Sequence, residues 1–592
     1  MSVFVLVLAA ASCSGERSAA ESAATEYAAA PEPRSAGRTA TSLRFTDITR
    51  EAGIDFVHEN GASGRKWMPE TVGSGGGFLD YDVDGRPDLF LVNGTSWPGE
   101  RGEANRSTSR LYRNLGSGRF EDMTRQAGLD LDIYGMGMAA ADYDADGDPD
   151  LYVTAVGTNR LLRNDGGAFV DVTAELGVTG NSPEPGAPPG WSTGAAWLDA
   201  DGDGWLDLFV CNYVRWTPET DLFQTLDGTR KAYATPEAYP GDSCRMYRNI
   251  RGRTFRDVTR LSGLENPDGK SLGVAVTDID GDGRPDIVVA NDTEPNFLYH
   301  NLGRGRFEDI ALRAGVAFDE YGRARAGMGV SVGDVRGDGL LAIAIGNFSR
   351  EPVALFEQIT ADLFQDQAGP AGIAPPTLLP LTFGVLFEDL DLDGRLDLLL
   401  ANGHIEPEIN DVQKEIRFEQ SPQLFLGDGR GDFEEVGRVV GPDFGRPLVG
   451  RGLAAADIDG DGDLDVLITA NGGRPRLLRN DLPSGTAHWI RLHLKGRAPN
   501  RDAIGASVTL YAGVAAQRRR VETGGSYLSQ SDLATLVLGL GERESADSLL
   551  IRWAGGSVTR ALALEADADY EFSEPEANDE AGGFITEGRS ES

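Results

Sequence analysis

Residues 271–310 read SLGVAVTDIDGDGRPDIVVANDTEPNFLYHNLGRGRFEDI. Four short apolar segments follow one another here, LGVAVT, IVVAN, FLYHN and RFEDI, with Gly, Asp, Asn or Pro between them. Short runs rich in Val, Ile and aromatic residues, bounded by turn formers, read as strands. Between the first two lies Asp278–Asp286, DIDGDGRPD, with four aspartates in nine residues. The same core starts at Asp80 (DYDVDGRPD), Asp142 (DYDADGDPD), Asp199 (DADGDGWLD), Asp334 (DVRGDGLLA), Asp389 (DLDLDGRLD) and Asp457 (DIDGDGDLD), at intervals of 62, 57, 79, 56, 55 and 68 residues. Each copy has a Gly-containing apolar run before it and, after it, a second apolar run, a run like RLYRN and a run like GRFEDMT. Four strands per repeat at a steady period is the pattern of a β-propeller blade.

The fourth-strand motif gives a second count. It stands at Phe45, Phe120, Phe169, Phe255, Phe307, Phe364 and Phe433. Its first copy precedes the first aspartate loop and none follows the last. The strand near Phe45 is therefore expected to complete the last blade, built from about Gly450 to Asn480, and so to close the ring. The alternative is an open solenoid with a spare strand at its start. Beyond His488, WIRLHL, SVTLYA and SLLIRW alternate apolar and polar residues between Gly-rich turns, as in a small antiparallel domain. The expected fold is all-β: a seven-bladed β-propeller over 43–485, then a small β-sandwich-like domain over 486–572.

The chain has 592 residues and a net charge of −38. So acidic a surface disfavours nucleic acid and anionic membrane. Five histidines make a His-based metal site or a Ser/His/Asp triad a poor fit, and no nucleophile motif, phosphate loop or zinc pattern stands out. The opening MSVFVLVLAAASC has an apolar run, Val3–Ala11, too short to span a bilayer. Residues 1–13 read as an export signal of lipoprotein type with Cys13 as the lipidated residue, 14–42 as a flexible linker and 573–592 as a disordered acidic tail. No transmembrane segment is expected. Cys211 and Cys244 either pair or remain separate thiols.

The aspartate loops carry the chemistry. Calcium takes six to eight oxygens. A loop with Asp at positions 1, 3, 5 and 9, a Gly turn at 6 and an inward carbonyl at 7 can wrap one ion. The expected ligands are Asp80, Asp82, Asp84, Arg86 (carbonyl) and Asp88; Asp142, Asp144, Asp146, Asp148 (carbonyl) and Asp150; Asp199, Asp201, Asp203, Trp205 (carbonyl) and Asp207; Asp278, Asp280, Asp282, Arg284 (carbonyl) and Asp286; Asp389, Asp391, Asp393, Arg395 (carbonyl) and Asp397; and Asp457, Asp459, Asp461, Asp463 (carbonyl) and Asp465. Clustered carboxylates repel one another unless a cation neutralises them. Position 12 is Leu91, Val153, Val210, Val289, Leu400 or Ile468, never the Glu of an EF-hand. In the fifth loop Arg336 and Ala342 replace two acids, so no calcium is expected at Asp334 and the Arg336 guanidinium is expected to stand in for the ion.

These repeats resemble the FG-GAP/VCBS family, the calcium-loop propeller repeats also seen in integrin α chains. HWIRLHLKG, NRDAIGASVTLYAG, GGSYLSQSD, LGLG and IRWAGG resemble an ASPIC/UnbV domain. Together they are the layout of the cartilage acidic protein family and its bacterial relatives, without the Cys-rich EGF-like module some animal members carry. The resemblance implies an extracellular or periplasmic calcium-binding protein.

The chain is accordingly read as an exported, monomeric, calcium-binding module that engages a protein or glycan. Either the face opposite the loops or the Cys211–Cys244 insertion, with Tyr213, Trp216, Phe223, Tyr233 and Tyr239, would make the contact. The insertion equally reads as a loop folded over that face. The alternative is a propeller-based glycan lyase or hydrolase drawing on His58, His300, His404, Glu406, Glu408 and Arg417. In the C-terminal part, Asn500, Arg501 and Asp502 form one polar cluster and Ser526, Ser529, Gln530 and Ser531 another. Each either binds a ligand or caps strand ends.

Overall fold

The computed structural model describes residues 42–97, 107–182 and 186–576. The expected signal segment with Cys13, nearly all of the linker and most of the acidic tail lie outside the described residues.

Between Phe45 and Asn480 the described residues form seven four-stranded antiparallel sheets. The fourth sheet shows the plan. Ser271–Thr277 runs into the aspartate loop and pairs with Asp286–Asn291, which pairs with Phe297–Gly303, which pairs with Arg306–Asp309. Thr277 lies opposite Asp286, so the loop is the hairpin turn between the first two strands. The first two strands are buried along their whole length. That is why they read as unbroken apolar runs: each sheet is covered on both faces by its neighbours.

The first strands are Gly76–Leu79, Tyr134–Ala141, Ser192–Leu198, Ser271–Thr277, Gly327–Gly333, Thr382–Glu388 and Gly450–Ala456. Each packs against the next, and Gly450–Ala456 packs against Gly76–Leu79, so they enclose a central channel. Phe45–Asp47 pairs with Arg476–Asn480, Phe45 opposite Asn480, and adds the fourth strand to the sheet that begins at Gly450.

The C-terminal part is two sheets. His488–Lys495 lies between Leu536–Gly541 and Ala568–Ser573. Ser507–Ala512 and Ser545–Arg552 form the centre of the other, flanked by Ala515–Arg520 and Val558–Glu565. Inward residues of the two, among them Ile490, Leu492, Leu538, Val508, Leu549 and Ile551, make one core.

One segment of this domain leaves it. Residues 523–532 run into the central channel. The channel-lining strands are sheet edges, with N–H and C=O groups that need partners. Gln530 O accepts Phe78 N at 3.0 Å, and the Gln530 side chain bonds Ala140 at both N (3.1 Å) and O (3.2 Å). Leu528 O accepts Met138 N, Thr523 Oγ1 accepts Trp197 N, Gly525 N donates to Val274 O and Ser526 O accepts Val330 N. Ser526 Oγ and Ser531 Oγ accept Leu453 N and Ala455 N. The Tyr527 ring meets Phe383 edge-on at 4.9 Å. The segment thus touches all seven sheets. The polar cluster Ser526, Ser529, Gln530 and Ser531 satisfies the channel wall rather than capping strand ends of its own domain. The glycines of the first strands make room for it. A Cβ on Gly77 would lie 2.2 Å from Gln530 O, and one on Gly452 only 1.9 Å from Ser529 Oγ.

Candidate metal centres

Each aspartate loop is organised by its own backbone. In the fourth, Asp278 Oδ1 accepts Gly281 N and Asp282 N, and its Oδ2 accepts Gly283 N at 3.0 Å. Gly283 has φ +85°, the left-handed turn that glycine adopts freely. Asp282 Oδ1 accepts Arg284 N. Asp286 binds both ends of the unit: Oδ2 accepts Ile279 N at 2.9 Å and Oδ1 accepts Asn301 N at 2.7 Å. The position-9 acids Asp88, Asp150 and Asp465 repeat this pair of bonds.

While so bonded, carboxylate oxygens of the same loops also converge. Carboxylate oxygens of Asp80, Asp82 and Asp88 lie within 4.8 Å of one another, as do those of Asp142, Asp144 and Asp146, of Asp199, Asp201 and Asp203, and of Asp278, Asp280 and Asp286. Asp82 Oδ1, Asp144 Oδ1 and Asp459 Oδ1, all at position 3, are buried without a hydrogen-bond donor, and so is Asp389 Oδ1. An anionic oxygen in that state calls for a positive charge. Burial, then the like charges of the loop, push these carboxyls up: Asp88 to about 8, Asp150 to about 9 and Asp389 to about 8. Asp207, Asp397 and Asp465 are raised well above the carboxylate range for the same first reason. Four loops thus bring three carboxylates each within reach of one divalent cation. In the sixth and seventh, Asp397 and Asp465 are raised first by burial and then by the acids of their own loops.

An FG-GAP-like repeat model matches residues 80–153, 142–210, 233–289, 278–345 and 389–468, more than half of the chain, and an ASPIC and UnbV model matches 496–579. The chain belongs to the FG-GAP repeat family. Cartilage acidic protein 1 of Mus musculus is 27% identical over 84% of this chain and 73% of its own length. The protein of the same name from Homo sapiens is 27% identical over 72% of this chain and 60% of its own. This chain therefore spans between three-fifths and three-quarters of those relatives. Among solved structures, an Agrocybe aegerita lectin that recognises non-reducing terminal N-acetylglucosamine matches at TM-score 0.35 and 16% identity, covering 68% of this chain and 87% of its own. A Lactobacillus plantarum protein matches at TM-score 0.35 and 10% identity, covering 61% and 82%. Likeness at that level adds nothing to the fold, which rests on the chain's own sheet order.

The FG-GAP loops are linked to one another through the last residue of RLYRN. Asn114 Nδ2 donates to Ile458 O, Asn164 to Tyr81 O, Asn249 to Tyr143 O, Asn301 to Ala200 O and Asn480 to Leu390 O, at 2.8–3.0 Å. Each acceptor is the position-2 carbonyl of the preceding loop. In the fifth repeat Gln358 Nε2 does the same to Ile279 O at 2.7 Å. In the sixth, Gly427 has no side chain to do so. The recurrence of that Asn was visible in the sequence, but its partner was not.

The ASPIC/UnbV domain reaches the FG-GAP loops with arginines aimed at position 1. Arg491 Nη1 pairs with Asp457, Arg520 Nη1 lies 3.4 Å from Asp278 Oδ2 and Arg501 Nε 4.0 Å from Asp142 Oδ2. Asp502 Oδ2 accepts Asp142 N at 2.7 Å. Arg501 and Asp502 thus dock the domain on the second loop, while Asn500 caps its own turn through Ile504. In the fifth loop Arg518 Nη1 sits 3.0 Å from Asp334 Oδ2 and 2.7 Å from Gly337 O. The stand-in expected of Arg336 is therefore corrected. Arg336 turns to Glu357, a carboxylate on its own sheet, and a cation from another domain takes the place. Arg518→Met is expected to lower the melting temperature by several degrees through the uncovered Asp334, of order 1–3 kcal/mol. Arg336→Met is expected to cost less, since its pair is partly exposed. Thermal unfolding of the two variants checks this, and equal shifts would count against the assignment. Between the domain and these loops lies a cavity of about 840 Å³.

The candidate catalytic groups are dispersed. His300 sits at the fourth loop, its Nδ1 3.1 Å from Asp286 Oδ1. His58 and His404 lie on the opposite face, buried and held neutral, lowered to about 3 and about 4 by burial and then by Arg451. Each spends Nδ1 on a backbone N–H, from Gly472 and Glu406 respectively. Glu406 and Glu408 share the Lys66 ammonium. Arg417 is exposed and donates to Lys414 O. The Cys211–Cys244 insertion folds over this face: Trp216 packs on Trp67, Trp97 and Trp191, Tyr233 OH donates to Glu70 and Tyr213 OH to Asp292. Phe223 stays 69% exposed. Cys211 and Cys244 are separate buried thiols.

Proposed function

We propose that this chain is an exported calcium-binding propeller that serves as a binding module. Calcium in the loops at Asp80, Asp142, Asp199, Asp278, Asp389 and Asp457 would make one face rigid, and the opposite face, roofed by the Cys211–Cys244 insertion, would meet a protein or glycan. No helix among the described residues is long and apolar enough to cross a membrane.

The observation that carries the reading is the set of buried carboxylate oxygens without donors, repeated at position 3. The donor set is all oxygen and mostly carboxylate, which suits a hard cation, and the count per loop suits calcium better than magnesium, which keeps more of its water. When bound, the ion supplies positive charge beyond that of the arginines already paired with the loop acids. The chain's own residues do the rest. Position 1 shapes the turn, position 9 ties it to the second and third strands, and the third-strand asparagines pass the geometry on to the next loop.

Metal analysis of the purified chain after dialysis against calcium tests this. About six ions per chain are expected at saturation for loops that each bind one, and Asp144→Asn is expected to lose one. A count near zero would overturn the proposal.

A further inference from the structure

The face opposite the loops carries a pocket of about 130 Å³. It lies where the insertion meets the ends of several sheets. Its walls are largely carbon, from Met68, Val72, Leu272, Met328, Phe348 and Phe383. The charged groups facing it are all acids, beside the hydroxyls of Thr71, Thr235, Thr293 and Tyr213. Asp292 is 5% exposed and Tyr213 OH donates to it at 2.5 Å. Glu237, from the insertion, and Glu351 also line it, and Glu351 Oε2 accepts Ala326 N at 2.8 Å.

Among the described residues none of these three acids is in an ion pair. The nearby Lys270 is engaged by Glu294 at 3.0 Å. Burial pushes the Asp292 carboxyl up to about 7; the Tyr213 bond opposes this, and the charges of Glu237 and Glu351 add to it. The pocket therefore favours a positive guest. A metal ion would want six to eight oxygens, and most of this wall is carbon. The volume is well below the roughly 300–1,000 Å³ of drug-sized sites. What fits is one short aliphatic chain ending in a cation, with Phe348 offering an aromatic face.

We propose that this pocket binds a primary alkylammonium group, the chemistry shared by a lysine side chain of a partner and a free alkylamine. Asp292 takes the ammonium at the floor, Glu351 and Glu237 draw it in at the mouth, and the aliphatic stem lies against the methionines and Leu272. This deepens the binding-module reading and rests on it for the idea that the face meets a partner. The pocket's chemistry does not depend on what fills the aspartate loops.

Calorimetric titration of the full calcium-equilibrated chain tests it with three probes: the capped peptide Gly-Lys-Gly, the same peptide acetylated on the lysine nitrogen, and n-butylammonium. Saturable binding of an ammonium probe is expected, weakened about tenfold or more by acetylation, as for loss of a charge-assisted contact. Asp292→Asn, which keeps the shape and the Tyr213 bond, is expected to weaken it by a similar factor, and Glu237→Gln at the rim by less. The peptide binding much more tightly than n-butylammonium assigns the site to partner lysines, and equal binding assigns it to free amines. No binding of either ammonium probe, equal binding of the acetylated peptide, or an unchanged affinity in a folded Asp292→Asn variant would overturn the site. Protein or glycan capture by a chain that ignores ammonium would sink this site and leave the module reading standing. Ammonium binding by a chain that captures neither would do the reverse.

Discussion

Chelating calcium with EGTA is expected to lower the melting temperature of the purified chain by about 10 °C or more. A ligand that binds only the folded state adds about 2.7 kcal/mol per site at a hundredfold excess over its Kd. Extracellular calcium modules bind at roughly 10⁻⁴–10⁻³ M, so about 10 mM calcium supplies between about half and all of that at each site. Large domains convert each kcal/mol into a smaller rise than the roughly 2–4 °C of a 150–250-residue one, but the sites act together. Differential scanning calorimetry in calcium and in EGTA reads the shift directly. A difference within about 2 °C would weigh against metal in these loops, since six sites acting together should far exceed it. Asp144→Asn should remove only part of the shift.

Tyr527→Ala is expected to destabilise the whole molecule by about 3–5 kcal/mol, the range for truncating a fully buried large aromatic. Tyr527 lies in the channel with no exposed surface, its ring on Phe383 and its hydroxyl donating to Val72 O at 3.1 Å. Removing it opens a cavity where the seven sheets converge and leaves the Val72 carbonyl without that donor. Tyr511→Ala, on the same domain but at an exposed position, is the control and should stay within about 0.5 kcal/mol. Denaturant unfolding of the two variants decides the matter. Equal effects would mean that the segment fills the channel without holding the sheets together.

The loops and the channel segment differ in how far the sequence reveals them. Asp278, Asp280, Asp282 and Asp286 lie within nine residues, so their convergence follows from a local turn. The first-strand glycines were visible too, but not their purpose. Gly77 needs to be small because of Gln530, and Gly452 because of Ser529 and Tyr527. No spacing rule joins residues so far apart in the chain. Arg336 shows the same limit from the other side. It stood in the right loop to replace an ion, yet the nearer carboxylate of Glu357 takes it, and Asp334 meets Arg518 from 184 positions along the chain.

What the sequence determined alone is whatever repeats at short range: the all-β class, the FG-GAP units with their Asp-rich hairpins, and the alternating strands after His488. Periodicity and turn chemistry act over a few residues, so one chain read in order suffices. The relation between distant parts of the chain came only with the assembled fold. Residues 523–532 have no apolar period and read as a loop, and they are ordered by the unpaired edges of sheets folded elsewhere. The pocket at Asp292 likewise exists only because the insertion, and the sheets that begin at Ser271 and Gly327, meet on one face. Such contacts are set by complementarity between surfaces that form after the strands do, and no local pattern records them.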